Sequence, residues 1–328
     1  MINPAPLLPM GGGVFLGWSL GANDAANVFG TAVAARIITF RKACIICGLA
    51  VILGAWLQGE AGIHTLAKLS NLTPEAPAGQ IRQMLLIISL AAALTTTIMT
   101  AFRLPVSASQ AVVGAVLGVG LVVRNVDWAI LGKVITCWLA TPIGAMLIAC
   151  VVYRLLGWFI RKAPMSMLTR DKILWSGLLV MGVYGSYALG ANNVANATGI
   201  FSGQFAETGI TDAHLALIGG AAIAAGAISF SKRIMLAVGS GIMPLDAFTA
   251  LVAVCAMSIT VHIFAVIGVP VSTSQAIVGA IIGIGMMQGF SVIHGKKLAN
   301  ITLGWIITPT AALILAAAGY AIFLGKAN

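Results

Sequence analysis

Gly21-Ala-Asn-Asp-Ala-Ala-Asn27 and Gly190-Ala-Asn-Asn-Val-Ala-Asn196 are one seven-residue phrase written twice, 169 positions apart, each time inside a long apolar stretch. Two further phrases recur in the same order. Pro105-Val-Ser-Ala-Ser-Gln110 returns as Pro270-Val-Ser-Thr-Ser-Gln275 at an offset of 165, and Trp138-Leu-Ala-Thr-Pro142 returns as Trp305-Ile-Ile-Thr-Pro309 at an offset of 167. Three motifs in one order at nearly one offset make an internal duplication of about 165 residues, the pattern of a membrane protein built from two repeats.

The surroundings support a membrane reading. Of 328 residues, 60% are apolar and 8% charged, against roughly a quarter charged in a soluble domain. At about 20 residues per membrane helix, the apolar content suffices for about ten spans. An ordinary soluble enzyme, a disordered chain and a transmembrane barrel with its period-two alternation are all excluded. Apolar runs fall near 10–32, 43–58, 84–101, 106–123 and 129–160, then near 173–201, 214–230, 247–268, 271–290 and 298–325. The fifth is long enough to be broken or doubled. The fourth and ninth begin at Pro-Val-Ser and are Gly-rich, a pattern open to re-entrant segments as well as to spans, and ten to twelve crossings are expected. The expected organisation is a first repeat at 1–160, a basic cytoplasmic linker at 161–172 and a second repeat at 173–328.

The net charge of +10 is read as the positive-inside bias rather than as nucleic-acid binding. The loop after the first run carries Arg36, Arg41 and Lys42, whereas its counterpart after the sixth run carries Glu207 and Asp212. Opposite charge on equivalent loops is what inverted repeats require. With the N-terminus outside, 13 of the 18 Lys and Arg fall inside, and only Lys68, Arg82, Arg124, Lys133 and Lys326 fall outside, so both termini are expected outside. Met1 to Pro9 has no basic region, and no cleavable leader is expected. Cys44, Cys47, Cys137, Cys150 and Cys255 are scattered in apolar runs, which is no disulfide framework, and Cys44-x-x-Cys47 lacks the second pair of a zinc site.

The chemistry concentrates in the first two motifs. A carboxylate at membrane depth costs roughly 2.5–3.5 kcal/mol on insertion scales, so Asp24 requires a cation, a proton or a water-filled cavity. Asn23, Asp24 and Asn27 share one helix face, and Gly21 permits a break or a close approach. In the second motif Pro is expected at the first helical position. Ser107, Ser109 and Gln110, with Ser272, Thr273, Ser274 and Gln275, then surround a helix N-terminus whose free N–H groups and partial positive charge suit an anion. Two such starts related by pseudo-symmetry would meet around one anion at the midplane. The Trp and Thr-Pro motifs are read as packing elements with a helix kink. Thr95, Thr96, Thr97 and Thr100 are equally consistent with packing and with a pore lining. His262 is read as a satisfied core histidine. His64, His214 and His294 carry no assigned role. Phosphate-loop and paired-carboxylate enzyme signatures are absent.

Gly-Ala-Asn-Asp followed by Ala-Asn in each half, with Pro-Val-Ser motifs between, resembles the inorganic phosphate transporter (PiT) family over nearly the whole chain. The resemblance implies an all-α polytopic fold of two inverted repeats with broken or re-entrant helices at the midplane. It also implies a homodimer and a symporter that couples an anion to sodium or protons without any other cofactor. The family's Asp corresponds to Asp24, its Asn residues to Asn23, Asn27, Asn192 and Asn196, and its second-motif hydroxyls to Ser107, Ser109, Ser272, Thr273 and Ser274. The sequence departs from the family at Asn193, where Asp is usual, and at Gln110 and Gln275, where His is common. It also lacks the long hydrophilic insert of some members. The reading that follows gives the cation to Asp24, Asn27, Asn193 and Asn196, with Asp24, Asn27 and Asn196 as Na+ ligands. It gives the oxyanion to Asn23, Asn192 and the Pro-Val-Ser helix starts. Phosphate is the expected substrate, sulfate the rival and an anion channel the more remote alternative.

Overall fold

The computed structural model describes residues 7–102, 106–232, 235, 243, 245–289 and 293–325. Arg103, Pro105, Arg233 and Lys326, used in the sequence arguments, lie outside the described residues. The first half contains α1 (Met10–Ala34), α2 (Phe40–Gln58), α3 (Glu60–Leu69), α4 (Ala78–Ala101), α5 (Ala108–Val123) and α6 (Trp128–Lys162). The second contains α7 (Met167–Thr198), α8 (Asp212–Ser229), α9 (Ala247–Ile267), α10 (Thr273–Gln288) and α11 (Gly295–Phe323). No strand occurs among the described residues. Hydrocarbon offers no partner to a free N–H or C=O, so a spanning segment satisfies its backbone within its own helix. Helices α2, α4, α6, α7, α8, α9 and α11 are long and apolar enough to cross a membrane. α1 has the length, 25 residues, but carries the polar run Asn23 to Asn27 at its centre.

Several features depart from the sequence expectation. The fifth run is one unbroken helix of 35 residues with Pro142 inside it. Most of 161–172 belongs to the ends of α6 and α7, leaving residues 163–166 between them. The ten-residue α3 lies beyond the second apolar run, where the alternation of polar and apolar residues hid a packed helix. Pro is not the first helical residue of α10. Ser272 is the N-cap, with extended backbone, and its hydroxyl accepts the Gln275 N–H at 3.3 Å. Ser is the stronger cap, and Pro270 stays in the extended segment that precedes it.

α5 and α10 have 16 residues each. At 1.5 Å per residue they reach about 24 Å, short of a hydrocarbon core of about 30 Å. Each begins deep in the protein, at buried Ser107 and Ser272, and runs outward, as re-entrant segments do.

The halves interlock. α5 of the first packs on α11 of the second, and α10 packs reciprocally on α6. A Cβ at Gly114 or Gly118 would overlap the carbonyl oxygens of Pro309 or Leu313, and a Cβ at Gly279 or Gly283 those of Pro142 or Met146. These small-xxx-small seams run parallel and in the same register in both copies. α1 and α7 instead cross antiparallel. Gly13 lies against the Ala197 carbonyl at one end of the contact, and Gly182 against the Phe29 ring at the other. Antiparallel placement of equivalent helices is the signature of inverted repeats. At Gly21 and Gly190 the polar motifs continue as helix rather than breaking. Both glycines serve close approach, to the carbonyls of Ile223 and Val51.

One tie links the halves at the level of the α7–α8 loop. Arg82, buried on α4, donates Nε–H to the Gln204 carbonyl at 3.0 Å. It also pairs with Glu207 and lies 5.2 Å from the Phe205 ring centroid.

Candidate functional site

The crossing of α1 and α7 brings the two seven-residue phrases face to face. Asn193 Nδ2 donates to Asp24 Oδ2 at 2.7 Å, and Asn23 Nδ2 donates to Asp24 Oδ1 at 2.8 Å. The second copy repeats the local bond, with Asn192 Nδ2 on Asn193 Oδ1 at 2.8 Å. Asn196 Nδ2 reaches the same Asn193 oxygen at 3.5 Å. Asp24 is 4% exposed. Among the described residues no Lys, Arg or His pairs with it, and its charge is held by neutral donors, the Asn23 and Asn193 amides and the Thr273 hydroxyl.

The half-helix starts close around this pair. Asn27 Nδ2 lies 3.5 Å from Thr273 Oγ1 at the first residue of α10. Asn192 fastens the extended segment before α10 from both sides. Its Oδ1 accepts the Val271 N–H at 2.9 Å and its Nδ2 donates to the Val271 carbonyl at 2.8 Å. With Asn193 as second acceptor, both Asn192 amide hydrogens are committed in this conformation. The equivalent residue of the first repeat, Asn23, makes no such clamp on Val106. Instead Ser274 Oγ donates to the Val106 carbonyl at 3.0 Å. Ser272 and Ser274 hydroxyls lie 2.8 Å apart, and those of Ser107 and Ser109 3.4 Å apart. Ser107, Ser109, Gln110, Ser272, Thr273 and Gln275 are all buried. Every sequence-predicted residue therefore lies on α1, on α7 or at the buried starts of α5 and α10. Direct contacts join Asp24 to Asn23, Asn193 and Thr273, Asn27 to Thr273, Asn193 to Asn192 and Asn196, Ser107 to Ser109, and Ser272 to Ser274 and Gln275. Gln110 and Gln275 stand one helical turn from their caps, and each has a buried, unpartnered Oε1.

The threonine run of α4 divides. Thr96 and Thr97 bond the Ser19 hydroxyl at 2.8 and 3.1 Å, joining α4 to α1. Thr100 Oγ1 is buried without a partner, one turn beyond Thr96, as Asn23 is one turn beyond Ser19. Thr31 Oγ1, one turn beyond Asn27, is likewise unpartnered. These two hydroxyls flank the polar motif; Thr100 belongs to the threonine run already singled out, whereas Thr31 carries no signal, since a lone Thr in an apolar run reads as packing. His262 is hydrogen-bonded on both ring nitrogens, to the Tyr184 hydroxyl and Gln58 Oε1, each at 2.6 Å.

Among the described residues no three His, Cys, Asp or Glu side chains come together. A cation held at the crossing would therefore meet one carboxylate and neutral amide or hydroxyl oxygens, a hard oxygen set. Cavities of about 300 and 270 Å³ lie elsewhere, around Lys68, Asn71 and Leu72 at the end of α3.

The family model for phosphate transporters matches the chain twice, over residues 20–176 and 169–316. The chain belongs to the phosphate transporter family. The two matches coincide with the two halves, and each contains one copy of every motif. A candidate phosphate permease of Methanocaldococcus jannaschii is 29% identical over 301 residues, covering 92% of this chain and 92% of that protein. The sulfate permease CysP of Bacillus subtilis is 29% identical over 314 residues, covering 95% of this chain and 86% of its own. A solved structure titled "The sodium-dependent phosphate transporter" superposes with a TM-score of 0.88 at 23% identity, covering 98% and 99% of the two chains. This family member is thus a multi-pass membrane protein with the fold of that structure.

Proposed function

We propose that the chain is a symporter that moves inorganic phosphate with sodium. One observation carries the reading. A buried carboxylate, Asp24, sits without a cationic partner where two half-helix starts converge. A carboxylate there needs a cation, and helix N-termini favour an anion. Asp24, Asn27 and Asn196, with Asn193 beside them, bind the cation. The α5 and α10 starts, with Asn23 and the Ser and Thr hydroxyls, bind the oxyanion, and Asn192 joins them when its clamp on Val271 opens. Each ion offsets the other's charge, so each raises the other's affinity. Asp24 also favours phosphate, whose P–OH donates to a carboxylate, over sulfate, which has no proton to give.

The rival substrate is sulfate. Asn193 in place of the family's usual Asp removes one negative charge from the site, which lowers its repulsion of a dianion, and a sulfate permease is among the relatives. The deciding experiment is uptake of labelled phosphate and sulfate into proteoliposomes, each under an imposed sodium gradient and then a proton gradient. Sodium-driven phosphate accumulation is expected, and its loss in Asp24→Asn with a monodisperse protein. Accumulation of sulfate alone, or near-normal coupled uptake by Asp24→Asn, overturns the assignment. Flux without accumulation would make the protein a channel. The positive-inside count supports a reading with both termini outside the cell membrane, which labelling of terminal cysteines in intact cells tests. The homodimer implied by the resemblance is tested by crosslinking in the bilayer.

A further inference from the structure

The Trp motifs have so far been packing elements, yet they hold orphaned chemistry. The indole N–H groups of Trp138 and Trp305 are buried without acceptors, and the carboxamide oxygens of Gln110 and Gln275 are buried without donors. Helix register groups these four unpaired atoms into two potential donor–acceptor couples related by the internal pseudo-symmetry. Gly114 faces Pro309 and Gly118 faces Leu313 on parallel helices, so one turn back the same faces carry Gln110 and Trp305. Gly279 faces Pro142 and Gly283 faces Met146, so one turn back lie Gln275 and Trp138. An unsatisfied polar group at membrane depth costs several kcal/mol, and the same orphan pair in both copies is not a packing accident.

We propose that Trp305 and Trp138 are positioning residues for the two glutamines. When the oxyanion binds, it repels each Gln Oε1 and attracts the Nε2 hydrogens. The carboxamide turns, Oε1 accepts the indole N–H, and Nε2 donates to the anion. The indole has a donor and no acceptor, so it fixes the sense of the carboxamide. Gln110 and Gln275 then act as pure donors and add affinity for any tetrahedral oxyanion, whether or not it carries a proton. This inference rests on the placement of the anion at the α5 and α10 starts.

The test uses the full chain, with nitrogen-15 in the indoles of its seven tryptophans. Trp305→Phe and Trp138→Phe assign two of the seven resonances. On titration with inorganic phosphate both are expected to move downfield, and the movement is expected to vanish for Trp305 in Gln110→Leu and for Trp138 in Gln275→Leu. In proteoliposomes each Trp→Phe variant is expected to raise KM for the oxyanion about three- to tenfold, the effect of one hydrogen bond, with kcat unchanged. Gln110→Leu combined with Trp305→Phe is expected to add nothing further. Phosphate that shifts other indole resonances while leaving these two in place overturns the proposal, as does a shift that survives Gln→Leu or a loss confined to kcat. If phosphate is neither transported nor shifts any resonance and sulfate does both, the substrate assignment fails instead, and the same titration with sulfate decides the role of the tryptophans.

Discussion

Asn193→Asp tests the electrostatics of the site most directly. In the structure Asn193 Nδ2 donates to Asp24 Oδ2 at 2.7 Å. The substitution replaces that donor with a second carboxylate. Two unit charges about 4 Å apart repel by about 4 kcal/mol at the effective dielectric of roughly 20 that suits protein sites. The lost hydrogen bond to a charged group adds about 1.5–3 kcal/mol. The repulsion alone corresponds to about a thousandfold in an equilibrium constant, so the cation-free fold of the variant is strongly disfavoured. A sodium ion between the carboxylates regains most of this. The variant is therefore expected to melt well below the parent in choline chloride and to recover steeply as sodium replaces choline. Its uptake is expected to depend on sodium with a higher Hill coefficient. The melts are run near pH 8, because protonation of one carboxylate would relieve the pair as a cation does. A variant with the parent's sodium dependence in both melting and uptake refutes the idea that the Asn193 amide stands where a cation would otherwise be needed.

Other outcomes follow from packing and from the clamp. Gly114→Val and Gly279→Val force a side chain into the Pro309 and Pro142 carbonyls. Each is expected to cost about 1–3 kcal/mol or more, read as a fall in monodisperse protein and in melting temperature, whereas Gly11→Val, with open space around it, is expected to be silent. Asn192→Ala removes both bonds to Val271. Maleimide labelling of Val271→Cys, in a background lacking the five native cysteines, is expected to be about tenfold faster with Asn192→Ala than without it. Arg82→Ala removes a bond to the Gln204 carbonyl and the contact with Phe205 as well as the Glu207 ion pair. It is therefore expected to destabilise by about 1–3 kcal/mol more than Glu207→Gln, measured by thermal melting.

Periodicity and repetition made the framework legible. The duplicated phrases announced two repeats, the charge reversal between equivalent loops announced their inversion, and Gly-rich runs opening on Pro-Val-Ser announced the short helices α5 and α10. Pairings between distant segments were not legible. Nothing local says that α5 will seat on α11 rather than on its own half, because Gly114 and Pro309 are separated by most of the chain and either half offers small-residue surfaces. The helix of α10 starts three residues beyond the expected Pro270, since Pro and Ser both signal a start and only the cap geometry ranks them. At the site, the motif residues were identifiable by being polar where polarity is costly. Their partners were not. Asn192 was expected to face the anion and instead fastens Val271 here, a backbone contact that no side-chain pattern encodes. Thr31 carries no mark in an apolar run until neighbouring helices leave its hydroxyl without a partner.

The reciprocal seating of α5 on α11 and of α10 on α6 has a consequence for biosynthesis. α5 ends at Val123, yet the groove that receives it is completed by residues 295–323, near the end of the described chain. The first half leaves the ribosome with a short apolar helix that has neither the length to anchor itself across the bilayer nor the partner it needs. It must wait, held loosely at the membrane, until residues 295–323 of the second half have been synthesised. Assembly is thus a closing of two hands rather than the stacking of a finished half on another. Separately expressed halves should accumulate only when made together, each being the template on which the other finishes folding.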